Sequence, residues 1–139
     1  MDIILKPYLT RRIIAGFIDY SCMFFISVIL IVTLGTHKGG GNYELTGFPA
    51  LIINLFWLLF IVGMEQITGA TLGNGITGLK PTTLSGSKPS FIQSFKRHLL
   101  DPIDMFFFGL VGIITIKNSE KSQRLGDSWA KTIVIRDKK

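Results

Sequence analysis

IIAGFIDYSCMFFISVILIVTL, residues 13 to 34, decides how this chain folds. The run has 22 residues and a single charge, Asp19. As a helix rising ~1.5 Å per residue it covers ~33 Å, enough for the hydrocarbon core of a bilayer. A carboxylate at mid-helix costs ~2.5–3.5 kcal/mol on the insertion scale, whereas each Leu, Ile, Phe or Val contributes ~−0.3 to −0.6. The run carries enough of those four residues to insert despite Asp19. The carboxylate should still be met by a partner. Arg11 and Arg12 stand just before the run, where basic side chains reach outward to lipid head groups.

The rest of the 139-residue chain agrees with a membrane reading. Hydrophobic residues make up 47% and charged residues 17%, and the net charge is +6. That balance points to anionic lipid head groups and a lipid bilayer as partners, and not to nucleic acid. Cys22 is the single cysteine, which excludes an internal disulfide. With two histidines it is too little for a zinc site, so neither a metal nor another cofactor is expected. The first apolar run is too long for a signal-peptide core, and no A-x-A-like site follows it.

Working outward, GTHKGGGNYELTGF (residues 35–48) is a Gly-rich loop. Pro49 suits a helix start, and residues 49–67 form a second apolar segment ending near Glu65 and Gln66. GATLGNGITGLKPTTLSGSKPS (69–90) reads as loop and a short β-hairpin around LKPTTL and SGS, not as helix. Residues 91–100 place Lys96, Arg97 and His98 beside Phe91, Ile92, Phe95 and Leu99, an amphipathic pattern for a membrane surface. His98 is expected at the interface. The third apolar segment, about 99–116, is short and includes Asp101, Pro102 and Asp104. TIVIRD near the end reads as a strand.

Lys and Arg are sparse in the first loop and dense in the N-terminus, second loop and tail. The positive-inside rule then predicts a cytoplasmic N-terminus and second loop. A re-entrant third segment keeps the basic tail on that side too and lets TIVIRD pair with residues 79–90. A third full span is the alternative. The expected fold is an all-α membrane protein: one domain over residues 1–139, two transmembrane helices, a third short re-entrant or spanning segment, and a small cytoplasmic β-hairpin or strand element.

RRIIAGFID at the first helix, GATLGNGITGL after the second and QRLGDSWAKTIVI near the end resemble, in that order, the signatures of the RDD family of small membrane proteins. The family is named for one arginine and two aspartates. The first aspartate matches Asp19 and the second Asp127, with Asp101 and Asp104 as rival positions. Family members often carry a basic pair after T-L-G, where this chain has Asn74 and Gly75. Any phosphate or head-group role of that pair is therefore not implied here. The resemblance implies transport of an undefined ligand, with cation/proton exchange among the suggestions, in the plasma or inner membrane.

The candidate functional residues are the charges in or beside the apolar segments: Arg12, Asp19, Glu65, Arg97, Asp101, Asp104, Arg124 and Asp127. An ionisable residue within a membrane segment marks a functional site by default. Arg12 lies ~10.5 Å along the helix from Asp19, too far for an easy bond, so Arg97 or Arg124 is the more plausible partner. Asp127 fits either a helix cap or an ion pair with Arg124 or Arg12. Glu65, Asp101 and Asp104 either join this cluster or stand solvated at helix ends. Ala15 and Gly16 suit close helix packing. GATLGNGITG lacks the G-K-[ST] ending of a phosphate loop, so its glycines are read as serving tight turns and close backbone approach. No nucleophile–base set is present, and an enzyme is not expected. Two functions compete: a proton-coupled or cation transporter working as a homo-oligomer or with other membrane proteins, and a non-transporting scaffold or accessory subunit of another membrane assembly.

Overall fold

A computed structural model describes residues 6–137; of the domain expected over 1–139, residues 1–5 and 138–139 lie outside the described residues. Helix α1 (Leu9–Leu34) begins about a turn before the apolar run, so Arg11 and Arg12 are helical. It buries only Ala15, Asp19 and Met23, spaced four residues apart on one stripe. The remaining faces stay open, with Phe17, Phe24, Phe25 and Ile29 all more than half exposed. Such a helix has lipid as its solvent. Asp19 sits on the one face that is covered by protein.

Strands β1 (Thr36–Gly39) and β2 (Asn42–Glu44) form an antiparallel hairpin in the first loop. Gly40 and Gly41 turn it with positive φ values of 60° and 79°, the geometry a tight hairpin needs. Both strands are fully exposed. The second span, Phe48–Thr68, runs as α2 (Phe48–Trp57), a π-helical stretch (Leu58–Gly63) and α3 (Met64–Thr68). Pro49 stands in its first turn. Its first half buries nothing, whereas Ile61, Val62 and Glu65 are buried. Both spans are long and apolar enough to cross a membrane.

Residues 69–78, read from the sequence as loop, instead hold a short helix, α4 (Leu72–Thr77). Thr71 caps it, accepting from the Asn74 N–H at 3.3 Å, and Gly78 closes it at φ 69°. Strand β3 (Leu79–Thr83) follows. The expected local hairpin over 79–90 does not form its second strand; residues 84–87 make a turn closed by Thr83 and Ser87. The partner of β3 is the distant β4 (Thr132–Arg136), the pairing expected for TIVIRD, antiparallel from Leu79–Arg136 to Thr83–Thr132.

Helix α5 (Phe91–Leu99) opens with a Ser90–Gln93 capping box and is followed by α6 (Asp101–Asp104), α7 (Phe106–Asn118) and α8 (Leu125–Ala130). The chain bends by 116° between Phe91–Asp104 and Phe106–Asn118. Phe107, Phe108 and Gly109 all take positive φ at this break. Helix α5 is inverted relative to a soluble helix. It buries Ser94, Arg97 and His98 and leaves Phe91 and Ile92 exposed.

Candidate functional site

The polar side chains gather at one end of the two spans, where α1 begins and α3 ends. Two patches result, built on different chemistry.

The first is the seat of Asp19. Helix α4 lies against α1, and Gly73 touches the Ala15 backbone so closely that a Cβ there would overlap it. This contact brings the Gly73 N–H to Asp19 Oδ1 at 2.7 Å and the Thr71 hydroxyl to Oδ2 at 2.7 Å. At the far end of α4 the Arg11 guanidinium donates to the Thr77 carbonyl. Each end of α4 thus meets the complementary charge from α1. No ion pair to Asp19 forms among the described residues. The expected partnership with Arg97 or Arg124 is therefore corrected, because both are held by other acids. Arg11, expected at lipid head groups, is likewise turned inward.

The second patch is a continuous ion-pair network. Asp127, fully buried, accepts from Arg97 Nε at 2.9 Å and Arg12 Nη1 at 3.3 Å, with Arg124 Nε at 3.7 Å. It also accepts the Arg124 backbone N–H at 3.2 Å, so it both caps α8 and pairs with arginines. Burial opposes its charge, but Arg124, Arg97 and Arg12 hold the carboxyl well below the usual range. Arg97 continues to Glu65 through Nη1 at 2.7 Å, and Ser94 donates to the same oxygen at 2.7 Å. Gly126 lets this happen. Helix α8 packs there against the Arg97 backbone with no room for a Cβ.

His98 lies inside the network and not at an interface, which corrects the sequence reading. Its Nε2 meets Glu65 at 2.9 Å and its Nδ1 meets Asp101 at 2.8 Å. Two carboxylates on the two ring nitrogens require both N–H groups, hence an imidazolium. Burial works against that charge, but Asp101 and Glu65 outweigh it and raise the pKa to about 9. Asp101 also receives Arg124 Nη1 at 3.1 Å and the Tyr20 hydroxyl. His98 and Arg124 keep it ionised against the burial that opposes it. Asp104 instead accepts the backbone N–H groups of Leu125 and Gly126 at 3.3 and 3.4 Å.

All eight candidate residues therefore meet at this end, and none of the acids is a solvated helix-end residue: Glu65, Asp101, Asp104 and Asp127 are each at most 2% exposed. Sequence reasoning missed His98, Tyr20, Ser94 and Thr71 as members. A cavity of about 230 Å³ opens between the two patches, lined by Arg12, Asp19, Tyr20, Arg97, Asp104 and Arg124 on its polar side and by Phe17, Phe108 and Ile113 among its apolar walls. Among the described residues no three His, Cys, Asp or Glu side chains converge as a metal set.

The family model described as RDD family matches residues 6–131. No curated protein and no solved structure matches the chain.

Proposed function

The chain belongs to the RDD family of membrane proteins; from that premise we propose that it is a proton-coupled transport subunit, exchanging cations against protons as an oligomer, with Asp19 as the proton-carrying group. It is an integral membrane protein with two helices long and apolar enough to cross a membrane. The observation that carries the reading is the contrast at Asp19. It is the one acid of the site that lies well inside a membrane span, borders the cavity and has only neutral donors among the described residues. A carboxylate fixed by neutral donors can take up and release a proton without breaking an ion pair, the chemistry of intramembrane relays. Two spans cannot enclose a path alone, so a second copy or another membrane protein completes it. Proton and sodium flux in proteoliposomes tests this. Wild type should exchange the two ions, and Asp19→Asn of unchanged oligomer size should not.

The topology reading is part of the proposal. Residues 79–83 pair with 132–136, so both must lie on one side of the membrane, and the sharply bent segment between them enters and returns. The positive-inside rule makes that side, and the N-terminus, cytoplasmic. A cysteine placed at Ser119 should resist labelling from outside intact cells; labelling there overturns this arrangement. The scaffold reading is favoured by one observation of its own. Glu65, Asp101 and Asp127 are fully engaged in ion pairs, as charges that only specify packing would be. Absence of flux from folded, oligomeric wild type would favour it.

A further inference from the structure

Two buried arginines keep donors in reserve. Arg12 spends Nη1 on Asp127, while its Nε and Nη2 are buried and unpartnered, as is Nη2 of Arg97. The Arg97 side chain is wholly buried and that of Arg12 is 7% exposed. Unmet donors on a buried cation are costly. Their arrangement is specific. Nε and Nη2 lie along one edge of a guanidinium and present two parallel N–H bonds, the fork that fits two oxygens of one oxyanion. Arg12 and Arg97 are tied to opposite oxygens of the same carboxylate, Oδ2 and Oδ1 of Asp127. The two guanidinium groups thus stand on one carboxylate.

Both side chains line the cavity of about 230 Å³. A single water needs only ~10–15 Å³ on the same measure, so one water does not fill it. Other walls are apolar, and two of them, Phe17 and Phe108, are 72% and 104% exposed. Three acids share the cavity, Asp19, Asp101 and Asp104. Asp19 and Asp104 direct their oxygens to Thr71, Gly73, Leu125 and Gly126, and those of Asp101 are taken by His98, Arg124 and Tyr20.

We propose that this cavity binds a phosphate oxyanion, gripped by the Nε/Nη2 edge of Arg12 and by Nη2 of Arg97. A phospholipid head group is the source its apolar mouth favours, and free phosphate is the other. The inference goes beyond the transport reading and does not depend on Asp19 carrying a proton.

The test is binding to the full chain, stripped of lipid in a neutral detergent. Three probes are compared: dihexanoyl phosphatidic acid, dihexanoylglycerol with the same chains and no phosphate, and inorganic phosphate. Arg12→Lys keeps a cation opposite Asp127 and removes the fork. Ile113→Trp fills the cavity and leaves the network intact, so it serves where Arg12→Lys does not fold. Lys117→Gln removes an exposed charge elsewhere. The expected result is saturable binding of the phosphatidic acid, weakened roughly tenfold or more by Arg12→Lys and by Ile113→Trp and unchanged by Lys117→Gln. Inorganic phosphate binding as tightly, with the same sensitivity, supports the site with the free anion as its source. Equal binding of dihexanoylglycerol overturns the proposal. So does the absence of saturable binding of either phosphate probe, or binding that folded Arg12→Lys and Ile113→Trp leave undiminished.

Discussion

Asp19 and Asp127 are both buried aspartates at the same end of the molecule, yet they are held in opposite ways. Asp127 stands among three arginines, and its charge is what keeps α1, α5 and α8 together. Asp19 is met by one hydroxyl and one backbone N–H, delivered by a helix of six residues. The first arrangement stabilises only the ionised acid. The second accepts either protonation state, because a hydroxyl can donate or accept. Low dielectric makes both environments demanding. One meets the demand with fixed charge, the other with adaptable neutral groups. A structural role and a proton-carrying role can thus sit side by side without interfering.

The largest effect expected from breaking this contrast is at Asp127. Asp127→Asn leaves Arg12, Arg97 and Arg124 without their shared counter-charge. Removing one partner of a buried pair costs about 3–5 kcal/mol. Thermal unfolding in detergent should show a severe loss or no folded protein at all. A variant melting like the wild type would mean that the arginines find other acceptors. Next in size is the pH response of the network. The His98 pKa rises from 6.5 to about 9 on folding. A raised pKa stabilises the fold fully below about 6.5, and that contribution disappears as the pH climbs through about 9. Melting temperature should therefore fall from pH 6.5 to 9.5, and His98→Gln should flatten the curve. A wild-type curve flat over that window would show that the imidazole is neutral in the folded protein.

How much of this was readable in advance follows from the range of the interactions. The spans show in the sequence because their signal is local: 22 apolar residues in a row need no partner to be recognised. TIVIRD was legible as a strand for the same reason, and its pairing with residues some fifty positions away followed from the basic residues that keep the tail on the side of the second loop. Helix α4 was hidden because glycines at 73 and 75 lower helix propensity. Its helix is held by docking on Ala15 and Asp19, a tertiary effect that no local pattern reports. The charged residues were legible as a set, since charges beside apolar runs demand partners. Asp127 was read correctly as a cap or as a partner of Arg12 or Arg124, and it is both. The partner of Asp19 was not, because it is a backbone N–H and a hydroxyl from α4. His98 looked interfacial because α5 is inverted, and only the second layer of acids from α3 and α6 shows that its polar face points inward. The glycines of GATLGNGITG gave one usable signal, close backbone approach, and Gly73 bears it out; Gly126 makes the same kind of contact with no such signal read for it.

Gly73→Ala tests the seat of Asp19 through its backbone. The added Cβ meets the Ala15 carbonyl, which has no flexible end to move aside. Overpacking of this kind costs about 1–3 kcal/mol. Helix α4 would shift away and carry the Gly73 N–H from Asp19, so loss of ion exchange should accompany the lower melting temperature. A stable, fully active Gly73→Ala would show that the contact between α4 and α1 is not what holds the carboxylate.

The smallest stability effect is expected from the same chemical change that is most severe at Asp127. Asparagine at position 19 keeps a carbonyl oxygen for the Gly73 N–H. Its amide can donate to the Thr71 hydroxyl, which then accepts where it had donated. No cation is left stranded, because none was paired there. Asp19→Asn should change stability by less than about 1 kcal/mol, within the range of one exchanged hydrogen bond. Ion exchange should nevertheless stop, because an amide cannot carry the proton. The ratio of the two Asp→Asn effects on melting temperature is then the sharpest measure of the contrast. If Asp19→Asn destabilises the protein as much as Asp127→Asn does, the charge at 19 is structural after all, and the scaffold reading takes its place.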